Sequence, residues 1–299
     1  MGGLLREREC VKFAFVAAEK ATWPVAWMCR KLSVSRSGFY AFQARRESRR
    51  AIEDDRLRSL VAVAHEAGRR TYGSPRIHRE LRDVHGVRIG RNRVIRLMRS
   101  QGIRGVSRRR RVRTTDSRHS FPVAPNLLMR DFRADAPNDR WVGDITFLRT
   151  EQGWLYLAVI VDLFSRYVVG WAISHTIDRH LALAALKMAN EQRQPEAGLL
   201  HHTDRGCQYA SDDYQLALGA EGFICSMSRI GDCYDNAVVE SFFGTLKAEL
   251  GDTFDSSEHA YRALFDYIEV FYNRARRHSS LGYISPAQHE KAFLTTIAA

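Results

Sequence analysis

Residues 141–173 read WVGDITFLRTEQGWLYLAVIVDLFSRYVVGWAI. Three runs within this stretch, Trp141–Thr150, Trp154–Val161 and Tyr167–Ile173, are dense in β-branched and aromatic residues, which suit a pleated, half-buried surface. Glu151-Gln152-Gly153 and Asp162–Arg166 separate them and are short enough to be hairpin turns. The pattern predicts three consecutive antiparallel strands.

Downstream, the element types alternate. Asp178–Gln192 is an Ala- and Leu-rich helical stretch, Leu199–Thr203 a short strand, and Asp212–Glu221 a helix. Phe223–Met227 is another short strand, and Asn236–Leu250 and Ser257–Asn273 are helices. That order predicts an α/β core: a ribonuclease-H-like mixed sheet flanked by helices. The core is placed at 137–273, with 274–299 as a C-terminal tail.

Upstream the chain reads as all-helical. Trp23–Arg46 is a helix, a break at Ser33-Val34-Ser35, and a second helix that Ser35 can cap. This gives a helix-turn-helix-like segment over 1–50, although any helical hairpin would look similar. A module follows over 51–115. Ile52, Leu57, Leu60, Val61 and Ala64 fall at helical spacing, and Ser74-Pro75 opens a helix carrying Ile77 and Leu81. Arg91–Gln101 then turns Val94, Ile95, Leu97 and Met98 inward and offers Arg91, Arg93, Arg96 and Arg99 outside. A basic third helix after a tight turn suits a DNA major groove. Arg108-Arg109-Arg110-Arg111 is too charged to pack, and 116–136 reads as a linker.

Charge divides the chain in the same way. Residues 1–120 hold 30 Lys and Arg, 27 of them Arg, against 11 Asp and Glu; residues 121–299 hold 16 against 23. The net +12 is therefore concentrated at the front, where arginine can fork onto phosphates and guanine edges. Double-stranded DNA is the expected partner. No apolar run approaches the roughly 20 residues of a membrane span, and Met1–Cys10 lacks the apolar run of a secretory signal. Five cysteines without a C-x-x-C pair argue against a zinc finger or a disulfide framework. A cytoplasmic protein without a membrane association is expected.

Asp144 lies inside the first predicted strand, where an acid among β-formers is costly unless paired or metal-bound. Asp204 directly follows a short strand, the end at which α/β sheets place ligands. Glu240 sits one turn into a helix beside Ala237, Val238, Phe242 and Phe243. Each acid alone is more often a cap or a surface residue. Together, on two strands and a helix, the three can converge on hard, oxygen-seeking ions such as Mg²⁺. Asp162, Asp232 and Asp235 read as turn and cap residues. His201 and His202 read either as groups orienting DNA or water, or as structural histidines.

These segments resemble the second-frame (OrfB) transposases of the insertion-sequence-three family, relatives of the retroviral integrases. Trp141-x-x-Asp144-Ile145-Thr146 resembles the first acidic motif, and His202-Thr203-Asp204-Arg205-Gly206-Cys207-Gln208-Tyr209 the second. Gly231–Asn236 followed by Val239-Glu240-Ser241-Phe242-Phe243 resembles the third, with 35 residues between Asp204 and Glu240. Tyr272-Asn273-x-x-Arg276-Arg277-His278-Ser279-Ser280-Leu281-Gly282-Tyr283 resembles the closing signature.

The resemblance implies an Asp-Asp-Glu enzyme in which Asp144, Asp204 and Glu240 bind Mg²⁺, with Mn²⁺ as a substitute. Such an enzyme cleaves element ends and transfers the strand by 3′-hydroxyl attack on target DNA. It further implies a homo-oligomer on DNA and a first-frame (OrfA) partner or fusion. Lys247, seven residues after Glu240 and about 20° from it around the helix, matches a family position that contacts the element end; a solvated lysine is the alternative. The rival readings are a nuclease of the same fold that only hydrolyses, and an inactive copy kept as a repressor.

Overall fold

The computed structural model describes residues 7–45, 48–107, 122–229 and 233–298. The chain packs as two compact units, 1–60 and 61–299.

In the first unit, α1 (Glu9–Glu19), α2 (Val25–Lys31) and α3 (Arg36–Ala44) surround Phe13, Val16, Met28, Cys29, Leu32 and Phe39. The expected pair α2–α3 is present, and Ser35 caps α3 by accepting from Gly38 N at 2.9 Å. Helix α1 goes unannounced in the sequence. Its apolar stripe is only Phe13 and Val16, three residues apart, and the buried Lys12 beside them breaks the pattern. The Lys12 ammonium is accommodated because the Leu32 carbonyl accepts its hydrogen bond.

The division between units falls within α4 (Arg49–Ala67). In the second unit, α5 (Ser74–Asp83) and α6 (Arg91–Ser100) bury Ile77, Leu81, Val94, Leu97 and Met98. Pro75 occupies the first turn of α5, where its missing N–H costs nothing. Among the described residues, no helix is long and apolar enough to cross a membrane.

The mixed sheet follows. Strands β1 (Arg140–Thr150), β2 (Gly153–Asp162) and β3 (Val168–Ser174) form an antiparallel meander. Helix α7 (Arg179–Arg193) leads to β4 (Leu200–Thr203), then α8 (Cys207–Ala210), α9 (Asp212–Ala220) and β5 (Ile224–Met227). Strand β4 runs parallel to β1, and β5 parallel to β4, giving the order β3-β2-β1-β4-β5. Helix α10 (Ala237–Glu249) is followed by the two-residue β6 (Thr253–Phe254), which pairs with β1, and by α11 (Ser257–Phe265). A widened π turn spans Asp266–Tyr272, and α12 (Pro286–Ile297) comes last. This is the integrase-type fold the sequence predicted: a mixed sheet flanked by helices, behind a helical helix-turn-helix-like region.

Strand alternation sorts the two faces of the sheet. Trp141, Ala158 and Ile160 point into a core with Leu181, Ala185, Leu186, Ala189, Tyr214 and Leu218 of α7 and α9. At Gly170 a Cβ would collide with the Ala185 carbonyl, so only glycine lets α7 lie this close to β3. The opposite phase, with Val142, Leu148, Leu157 and Val159 buried, carries Asp144. Residues 125–128 lie along β5: Met227 N donates to Pro125 O, and Ser226 Oγ accepts from Leu127 N and Leu128 N. The C-terminal segment is likewise held. Glu290 of α12 takes both arms of Arg193 at 2.8 and 2.9 Å and a bond from Ser165 Oγ.

Candidate active site

The parallel register pairs Gly143 of β1 with Thr203 of β4. One residue on, Asp144 continues β1 while Asp204 leaves the end of β4, so the two carboxyls belong to neighbouring strands. Asp144 Oδ1 accepts from Ile145 N at 2.8 Å, and Asp204 Oδ1 accepts from Gly206 N at 2.9 Å. A Cβ on Gly206 would stand 3.0 Å from that same Oδ1, so the glycine lets its N–H approach the carboxylate.

Two tethers lay α10 along β1. Asn236, just before the helix, donates from Nδ2 to Gly143 O at 3.1 Å, and Lys247 near its end donates from Nζ to Phe147 O. Glu240 and Lys247, seven residues apart, lie within about 20° of one another around the helix. Glu240 itself is exposed on α10, near enough to Asp144 for its charge to raise that carboxyl.

The electrostatics of Asp144 reflect its charged neighbours. The Asp144 carboxyl is pushed well above the usual carboxylate range by burial, then by the Asp204 charge, with Glu240 adding to the rise. The donors are hard carboxylate oxygens, the set that Mg²⁺ or Mn²⁺ takes, and a cation would relieve the repulsion at Asp144. By donor type the three residues suit such an ion. Among the described residues, no three His, Cys, Asp or Glu side chains stand close enough together, as placed, to hold a metal ion.

The neighbouring candidates resolve differently. His201 is fully buried with Nε2 2.7 Å from Tyr214 Oη, and burial, with the adjacent His202, lowers it to about 3. His202 lies between Ser226 Oγ and Ser228 Oγ at 2.8 and 3.1 Å, and burial lowers it to about 4. Both are neutral structural groups. Asp162 is the expected turn residue, accepting from Asn138 N and from Ser165 N and Oγ.

Asp235 is more than the cap the sequence suggested. Fully buried, it accepts from Arg229 N, Nε and Nη2, from Arg130 Nε and from Asn126 Nδ2, all at 2.8–3.0 Å. Those bonds, Arg229's first, hold its carboxyl far below the usual range. Its partners reach back more than 100 residues to Arg130 and Asn126, so no local pattern could reveal them. Asp235 fixes the approach to α10 one residue before Asn236.

Of the arginines expected to meet DNA, Arg91, Arg96 and Arg99 are exposed on α6, and Arg93 is half-buried. Arg91 Nε donates to Ser74 Oγ at 3.4 Å. Arg108, Arg109, Arg110 and Arg111, like Asp232, lie outside the described residues. Sequence reasoning also passed over Asn236. Its signal was position, directly before the helix that carries Glu240.

Residues 134–233 match a family model described as an integrase core domain. Residues 221–286 match a second model of that description, and 53–111 match an HTH-like domain. The chain is similar to the transposase InsF for insertion sequence IS3A of Escherichia coli (strain K12), at 43% identity over 284 residues, 94% of this chain and 98% of that one. It is 44% identical over 268 residues to the insertion element IS600 uncharacterized 31 kDa protein of Shigella sonnei, covering 89% of this chain and 98% of that one. Among solved structures it is similar to the HTLV-2 integrase catalytic core domain in complex with magnesium, with a TM-score of 0.43, 20% identity, and coverage of 53% of this chain and 99% of that chain.

Proposed function

Because the chain belongs to the transposases of the insertion-sequence-three family, we propose that it cleaves element ends and joins them to target DNA at a site formed by Asp144, Asp204 and Glu240. The observation that carries this reading is the place of Asp144 on β1 and Asp204 at the end of β4, each one step beyond the same register pair, with the Asp144 carboxyl raised by burial and by the charges of Asp204 and Glu240. These three residues would hold Mg²⁺, or Mn²⁺ in its place. Bound there, the metal supplies activation of the attacking oxygen and stabilisation of the leaving one.

The chemistry is two successive displacements at phosphorus. In the first, a water oxygen bonds to the phosphorus at the element end, and the 3′-oxygen leaves and takes up a proton. In the second, that 3′-hydroxyl loses its proton and its oxygen attacks a target phosphodiester, displacing the target's own 3′-oxygen. The protein's task is orientation. Ile145 N and Gly206 N each hold one oxygen of Asp144 and Asp204. The Asn236 and Lys247 tethers set the height of Glu240 along β1.

The exposed Arg91, Arg96 and Arg99, with Arg93 and the run Arg108–Arg111, supply phosphate and base contacts to duplex DNA. Lys247, while bonded to the Phe147 carbonyl, contributes its positive charge at the element end. Two ends must meet one target, so the working form is a homo-oligomer on DNA, with a first-frame protein as partner or fusion, acting in the bacterial cytoplasm. The test is incubation with labelled element ends, Mg²⁺ and target duplex. Joined products support the reading, and free cleavage without joining reduces the protein to a nuclease.

A further inference from the structure

Arginines in a DNA-joining protein invite assignment to phosphate. In the closing signature, Arg276 and Arg277 are instead committed inside the protein. Arg276, with a side chain 3% exposed, forks onto Glu249 with Nε and Nη2 at 2.7 and 2.6 Å. Glu249 also accepts from Tyr267 Oη at 2.8 Å. It stands nine residues after Glu240, half a turn off in phase, so α10 carries Glu240 on one side and turns Glu249 toward Arg276 on the other.

Arg277 faces the other way, into α5. Its Nε donates to Glu80, its Nη1 to Asp83 at 2.9 Å, and its backbone N to Tyr72 Oη at 2.8 Å. Helix α5 answers with Arg76, whose Nε donates to Arg277 O at 2.9 Å and whose guanidinium lies 3.9 Å from Glu249. Arg69 adds a two-armed bond to Asp266, at the start of the π turn. The helix before the basic helix α6 and the helix bearing Glu240 thus share one buried carboxylate.

On the reading given under Proposed function, we propose that Arg276 and Arg277 are positioning residues, a two-sided clamp coupling DNA engagement by α5–α6 to the placement of Glu240. Neither touches DNA or metal. Each acts through a carboxylate, Arg276 through Glu249 on the catalytic helix and Arg277 through Glu80 and Asp83 on α5. Severing the Arg277 side should leave the DNA-reading helix intact while separating it from the chemistry.

The experiment uses the full chain with Arg277→Met, Arg277→Lys and the double variant Glu80→Gln/Asp83→Asn. Affinity for an element-end duplex is measured by titration, and joining is measured separately at saturating DNA with Mg²⁺. Expected is end affinity within about twofold of wild type and joining per bound complex reduced by about tenfold or more, in the range of ordinary coupling between sites. Arg277→Lys, which keeps the charge without the fork, should fall between. Affinity and joining falling together would overturn the proposal, because Arg277 would then be a DNA contact. Unchanged joining would also overturn it, by leaving Arg277 merely structural. Thermal melting identifies a variant that fails to fold, and the double variant, altered only on α5, then gives the same two readings. A wild-type protein that joins no ends refutes the proposed function itself, a result distinct from either outcome for the variants.

Discussion

Replacing Asp144 with Asn should make the metal-free protein more stable at neutral pH while abolishing its chemistry. The replacement is nearly isosteric, and Ile145 N can donate to the amide oxygen as it does to Oδ1. Asp144 and Asp204 lie one step beyond a register pair on strands about 4.8 Å apart. Two unit charges about 6 Å apart at an effective dielectric constant near 20 repel by about 3 kcal/mol. Glu240 adds to this, whereas relaxation and counterions subtract, so the gain expected at about pH 7.5 is about 1–3 kcal/mol. For a unit of this size each kcal/mol moves the melting temperature by about 2–4 °C.

The pH dependence fixes the sign. The folded-state value of Asp144 is raised. Below about pH 4, where an ordinary carboxylate is protonated, variant and wild type should therefore melt alike. As pH rises the unfolded chain ionises first, and the wild type loses stability until pH passes the raised folded value. The assay is thermal melting in chelator at about pH 4 and about pH 7.5, repeated with Mg²⁺. Mg²⁺ should stabilise the wild type and leave the variant unmoved. If the Asp144→Asn variant proves less stable than wild type in chelator at neutral pH, the reasoning is refuted, because the wild-type carboxylate would then be favourably paired rather than repelled.

Chelator should abolish joining, Mg²⁺ or Mn²⁺ should restore it, and Ca²⁺ should bind without turnover because its longer, looser coordination misplaces the reacting oxygens; a gel of joined products decides. Replacing Arg96 and Arg99 with Gln should weaken duplex binding and lower the slope of log affinity against log salt by about 0.9 for each phosphate no longer neutralised, read from a salt titration of the full chain. Asp235→Asn should destabilise the protein by about 1–3 kcal/mol, since it removes the charge that Arg229 and Arg130 share while both remain partly hydrated. Because the Asp235 carboxyl is depressed, that difference should be full above about pH 4 and shrink as pH falls toward its folded value, as denaturant melts across pH would show.

Much of this protein is written in its local patterns. Period-two alternation and short turns over 141–173 fix the meander, and Ser35 and Pro75 mark helix starts, because these signals depend only on neighbours along the chain. The spacing of Asp204 and Glu240 and the phase of Lys247 on the helix of Glu240 are equally local. The excess of arginine before residue 120 is visible by counting.

Tertiary structure decided where each charge is spent. Arg277 pairs with Glu80, 197 residues away, and Asp235 with Arg130, 105 residues away, while Lys247 reaches the Phe147 carbonyl on β1. His201 and His202 became core residues because β4 lies centrally between β1 and β5. Helix α1 and the docked α12 needed partners elsewhere to complete their weak apolar stripes. A guanidinium has the same sequence signature whether it meets a phosphate or a buried carboxylate. Only the packing of distant elements brings one of those partners within hydrogen-bonding reach.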